Sequence, residues 1–111
     1  MNPNSKQKRI AFGYNRGYRN QIELYIGQAA AVKLIYEWYI DGKSIAEIAE
    51  ILESLNIPSP QNKPKWGKQS LSNIISNPHY LGGEAYIPII DQELYDEVQT
   101  IKNMRMQKNG K

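Results

Sequence analysis

From Gln28 to Asp41 the chain contains neither proline nor glycine, and Ala29, Val32, Ile35, Tyr36 and Tyr39 recur at helical spacing, with Leu34 and Trp38 adding a second apolar flank. A segment with that period must bury one face against other elements, so it predicts a central amphipathic helix. Its solvent stripe is Lys33, Glu37 and Asp41, and Gly42 ends it. Ser44-Ile45-Ala46-Glu47 follows, the pattern of a capping box, in which the serine hydroxyl accepts from the amide three residues on and the glutamate reaches back. A second helix then carries Ile45, Ile48, Ala49, Leu52 and Leu55 on one apolar face, with Glu47, Glu50 and Glu53 outside it, until Asn56-Ile57-Pro58 stops it.

The flanks read less regularly. Residues 1–7 are polar and aperiodic, an arm or linker. Ile10, Phe12 and Tyr14 alternate, then Ile22, Leu24 and Ile26, with Gly13, Gly17 and Asn20 between them, which predicts a loose β-hairpin. Ser59 to Lys68 is a proline-containing surface loop with three lysines around Trp66, whose ring is expected to be a core or lid residue covering Leu71 and Ile74, with lid the favoured reading. A short helix from Lys68 to Ser76 buries Leu71, Ile74 and Ile75, and Asn77-Pro78 closes it. Tyr80 to Ile90 is expected to be extended and to pair with the hairpin. Asp91 caps a last helix through Leu94, Tyr95, Val98, Ile101 and Met104, which frays into a basic tail at 106–111. The expected fold is α+β, mostly helical, with about four helices and a small antiparallel sheet in one domain over residues 8–105. At 111 residues there is room for one core and not for two.

Charge is segregated along the chain. Residues 1–20 carry +5, 21–60 carry −4, 61–80 carry +3, 81–100 carry −5 and the remainder +4, so a net charge of only +3 conceals strong blocks. Such blocks suit a molecule with one basic and one acidic face, and basic faces attract phosphate.

Catalytic chemistry is poorly supplied. There is no cysteine, which excludes disulfides, a thiolate nucleophile and a thiolate zinc site, and the single histidine, His79, excludes a histidine-rich metal centre. His79 sits in a turn after a proline, and Asp91 and Glu93 at a helix start are expected to complement its dipole. Eight tyrosines are present, but only four arginines and one histidine are available to surround a scissile phosphate. No glycine-rich phosphate cradle occurs. No enzyme activity, metal or cofactor is therefore expected of this chain. The absence of an apolar run near the roughly 20 residues of a membrane span, and of a signal-peptide stretch in Met1–Arg9, leads to the expectation of a cytoplasmic protein without membrane contact.

Binding is better provided for. Two successive helices, the first acidic outside and the second basic and amide-rich, have the form of a helix-turn-helix whose second helix reads bases, although the intervening loop exceeds the usual tight turn. Gln69 and Asn73, four apart, lie on one face with Ser72 and Ser76 beside them. An amide offers the donor and acceptor that an adenine edge requires, while lysine favours guanine or phosphate. The expected DNA-contacting set is Arg9, Arg16, Arg19, Lys63, Lys65, Lys68, Gln69, Ser72, Asn73 and Ser76. A competing expectation is a protein-docking module using the acidic residues Glu47, Glu50, Glu53, Glu93, Asp96 and Glu97.

The ordered string is more specific than any single motif: Phe12-Gly13-Tyr14; Ala29, Val32, Ile35, Tyr36 and Tyr39 followed by Asp41-Gly42-Lys43-Ser44; Ile48-Ala49; Leu55-Asn56-Ile57-Pro58; Trp66; Ile75; Asn77-Pro78-His79-Tyr80-Leu81-Gly82; and Ile89-Ile90-Asp91. It resembles the recombinase domain of large serine recombinases over about residues 8 to 100. The resemblance implies a double-stranded DNA-binding domain that follows a serine-nucleophile catalytic domain, with the helix before Asn77 in the major groove and the basic N-terminal segment on the backbone or minor groove. It implies site recognition during DNA integration, with the catalytic domain as a partner in the parent protein. The isolated domain is expected to be a monomer or weak dimer.

Overall fold

The structure is a computed structural model and describes residues 10–83 and 85–110. Strands β1 (Tyr14–Arg16) and β2 (Ile22–Leu24) form an antiparallel hairpin in which Tyr14 faces Leu24 and Arg16 faces Ile22. Helices α1 (Ile26–Ile40), α2 (Ile45–Ser54), α3 (Lys68–Ile75) and α4 (Gln92–Gly110) follow, with a 3-10 turn at Pro78–Leu81. The expected α+β class is observed. The arm expected at residues 1–7 lies outside the described residues, as does Arg9.

Helix α1 is the hub, packing on α2, α3, α4 and β1 and burying Ala31, Val32, Ile35, Tyr36 and Tyr39. The capping box forms as its sequence requires: Glu47 N donates to Ser44 Oγ at 3.0 Å and Ser44 N to Glu47 Oε1 at 2.9 Å. Gly13 sits where β1 meets α1. Its φ of +110° suits glycine, and a β-carbon there would lie 3.1 Å from Ile89 Cδ1 and 3.3 Å from Val32 Cγ2.

Four sequence expectations change. First, among the described residues, 80–90 do not join the hairpin, since the sheet there has two strands and the later segment holds only an isolated bridge, Gly83 to Tyr86. Gly82, Gly83 and Ala85 adopt positive φ and Pro88 has no N–H, so no regular ladder can run there. Tyrosine hydroxyls link the segments instead: Tyr80 donates to the Phe12 carbonyl at 2.7 Å, Tyr14 to the Ile87 carbonyl at 2.6 Å, and Ala11 N to the Tyr86 hydroxyl at 3.2 Å. Second, α4 continues to Gly110 rather than fraying after Met104. Third, Trp66 is a core residue, not a lid: its ring packs edge-on against Phe12 with centroids 5.4 Å apart. Fourth, Glu53 is half-buried and structural, because its carboxylate accepts from Trp66 N at 2.8 Å.

The buried phenols carry a pH signature. Burial, reinforced by Tyr86, pushes Tyr14 up to about 12, and burial raises Tyr36 and Tyr80 further. The folded chain keeps these protons at pH values where unfolded tyrosines, near pH 10, lose them. Stability from these groups is therefore full below about pH 10 and falls as the pH climbs toward their folded pKa values. Tyrosinate absorbance is expected to rise in a cooperative step that coincides with loss of helical circular dichroism in alkali. Titration of Tyr14, Tyr36 and Tyr80 near pH 10 in a chain that is still folded would contradict this.

Candidate nucleic-acid interface

Helix α3 has only eight residues, too short to hold its shape by hydrogen bonding alone, so its neighbours must fix it. They do so at its C-terminal end, where helix carbonyls lack intrahelical partners. The Tyr36 hydroxyl donates to the Ile74 carbonyl at 2.7 Å, Gln99 Nε2 to the Ile75 carbonyl at 2.6 Å, and the Tyr95 hydroxyl to the Ser76 carbonyl at 3.0 Å. Lys102 Nζ donates to Ser76 Oγ at 2.7 Å, placing a cation where the helix dipole is negative. Tyr95, Gln99 and Lys102 stand four and three residues apart, hence on one face of α4. That spacing is visible in the sequence, but what the face touches is not.

With Leu71, Ile74 and Ile75 buried, α3 turns Lys68, Gln69 and Asn73 outward, with Ser72 partly exposed. Gln69 Nε2 donates to Asn73 Oδ1 at 2.9 Å. This internal bond pre-orients the two amides and leaves the Gln69 oxygen and the Asn73 NH2 group for a ligand. Ser76 belongs to the α4 clamp through its hydroxyl.

Beside this face lies a groove of about 530 Å³, bounded by residues 10–12, the hairpin, Pro60 and Gln61 of the loop, and Ser70, Asn73 and Asn77 around α3. Arg16 of the hairpin and Asn73 of α3 both line it, and among the described residues no carboxylate does. His79 also lines it, its ring stacked on Tyr86 with centroids 4.4 Å apart. Arg19 is exposed at the hairpin tip, and Lys63 and Lys65 are exposed in the loop that leads to α3.

That loop is ordered by its own contacts. Ser59 is buried, its N–H donates to the Lys63 carbonyl at 2.9 Å, and Trp66 Nε1 donates to the Ile57 carbonyl at 2.7 Å. A turn too long for a compact helix-turn-helix is thus held by a buried serine and an indole. On the acidic side, Glu47 serves the capping box and Glu53 serves Trp66, whereas Glu50, Glu93 and Glu97 are exposed and Asp96 accepts from Gln92 Nε2 at 2.9 Å. Among the described residues, no three or more of His, Asp and Glu gather as a metal site, and no helix is long and apolar enough to cross a membrane.

A family model described as Recombinase matches residues 27–105. Among solved structures, the chain is similar to that in the crystal structure of an LSR-DNA complex, where LSR denotes a large serine recombinase. That match has 25% identity and a TM-score of 0.70, over 94% of this chain and 35% of that one. It is also similar to a structure reported with the sequence requirements of the Listeria innocua prophage attP site, at 25% identity and a TM-score of 0.68, over 93% of this chain and 46% of that one. No curated protein matches. The chain spans between a third and a half of the length of those two structures. With the family model matching well over half of the chain, the chain belongs to the Recombinase family.

Proposed function

We propose that this chain is a non-catalytic domain that binds duplex DNA at one half of a recombination attachment site, with strand chemistry belonging to a serine catalytic domain elsewhere in the parent protein. One observation carries the reading: Asn73, bonded to Gln69 in the exposed amide pair of α3, lines a groove that Arg16 of the hairpin also lines and that no carboxylate lines among the described residues. Membership of the Recombinase family and likeness to a chain in an LSR-DNA complex support it.

In this arrangement α3 enters the major groove and its amides meet base edges, while Arg16, Lys63, Lys65 and Lys68 meet phosphates and Arg19 meets the duplex from the hairpin tip. Arg9 joins the same set as part of the proposal. Positively charged contacts displace counterions, so each adds to the salt dependence without favouring a sequence. Arg16→Ala and Lys65→Ala are each expected to weaken binding to specific and scrambled duplexes by similar factors. Each should also flatten the plot of log affinity against log salt by about one unit. Bandshift titrations at several salt concentrations measure both quantities, and an unchanged slope in both variants would contradict the phosphate assignment.

A further inference from the structure

The hairpin tip holds an aromatic ring in solvent. Tyr18 is 73% exposed, more than any other large apolar side chain among the described residues. The backbone beneath it is closely tied: Gly17 N donates to the Gln21 carbonyl at 2.7 Å, Asn20 N to the Gly17 carbonyl at 2.9 Å, and Arg16 Nη1 to the Asn20 carbonyl at 2.8 Å. The Glu23 carboxylate accepts from Tyr18 N at 3.2 Å and fills the space where a β-carbon on Gly17 would sit. The acid nearest the tip is therefore turned toward the backbone. Arg19 and Asn20 both lie at positive φ, 55° and 65°, a region that residues with a β-carbon rarely enter. The Arg19 guanidinium carbon stands 5.3 Å from the centre of the Tyr18 ring. The tip is thus a fixed unit, an exposed ring carrying a cation.

Its place relative to the groove matters. Arg16 lines the groove beside Asn73, and the chain continues from Arg16 through Gly17 to Tyr18, so the tip adjoins the surface already assigned to DNA. We propose that Tyr18 and Arg19 enter the minor groove flanking the segment read by α3 and prefer a narrow A·T-rich stretch there. The inference rests on the DNA-binding reading above. A phosphate would satisfy the guanidinium but leave the face of the phenol ring unused. The minor groove offers sugar walls to the ring, and its A·T-rich narrowing concentrates the negative potential that draws an arginine.

The test begins by selecting a tight-binding duplex from a random-sequence pool with the whole chain, then altering only its flanks. Changing flanking A·T pairs to I·C alters the major-groove pattern and preserves the minor groove, whereas G·C adds the guanine amino group to the minor groove. Wild type is expected to tolerate I·C and to lose about tenfold in affinity on G·C, the scale of one mismatched pair. Tyr18→Ala and Arg19→Gly are expected to bind all three flanks alike, at the weakened level. Arg19→Gly also relieves the positive φ, so its Tm should not fall, which separates lost contact from lost fold. Variants that keep the wild-type flank preference would overturn the tip contact and leave the α3 reading standing. Failure of wild type to bind any duplex would overturn both.

Discussion

Trp66→Ala is expected to lower the stability of the domain by about 3–5 kcal/mol, the usual range for removing a buried aromatic ring. The ring is only 6% exposed, packs edge-on against Phe12, and holds the loop between α2 and α3 through its bond to the Ile57 carbonyl. A small domain has only about 5–15 kcal/mol in total, so the loss is a large fraction of it. Urea unfolding should show the midpoint falling steeply. Trp66→Phe separates the contributions, because it keeps most of the packing but removes the indole donor to the part-buried Ile57 carbonyl, at a cost of about 1 kcal/mol. Equal midpoints for wild type and Trp66→Ala would show that the loop is not anchored as described. The consequence reaches α3, which has no side-chain cap at Gly67 and depends on the loop for its N-terminal position.

The second large effect concerns recognition. Gln69→Ala combined with Asn73→Ala is expected to reduce the preference for a selected duplex over a scrambled one by about tenfold or more, since one bidentate base contact contributes about 1–3 kcal/mol of discrimination. Binding to scrambled DNA should change little, because the phosphate contacts remain. Both side chains are exposed and bond to each other rather than to the core, so folding should be unaffected. Equal losses on both duplexes would remove base reading from this pair and assign it a general electrostatic or structural part.

Much of this was legible in the chain itself, for identifiable reasons. Helices α1 and α2 have strong apolar periodicity, and a capping box is a local pattern that needs no partner from elsewhere. The polar face of α3 followed from the same periodicity. The segment from Tyr80 to Ile90 misled because its alternation of Ala85, Ile87 and Ile89 is a strand signal, while positive φ at Gly82, Gly83 and Ala85 is a property of the folded backbone. Glu53 read as a solvent acid because its partner, the Trp66 amide, lies across a loop that no periodicity describes. The α4 clamp was invisible for a related reason: Gln99 and Lys102 are ordinary helix-surface residues until α3 is placed against them. The groove between Arg16 and Asn73 joins segments more than fifty positions apart, and only the tertiary fold brings them together.

The central claim is that DNA meets the face formed by α3, the hairpin and the loop before α3, and not the acidic surfaces of α2 and α4. Amide chemical-shift mapping of the isotope-labelled chain during titration with a selected duplex tests it directly. The account predicts that the largest shifts fall on residues 16–20, 61–65 and 68–73, with Glu50, Glu93 and Glu97 unmoved. Shifts concentrated on those acids, with the amides of Gln69 and Asn73 unchanged, would contradict it.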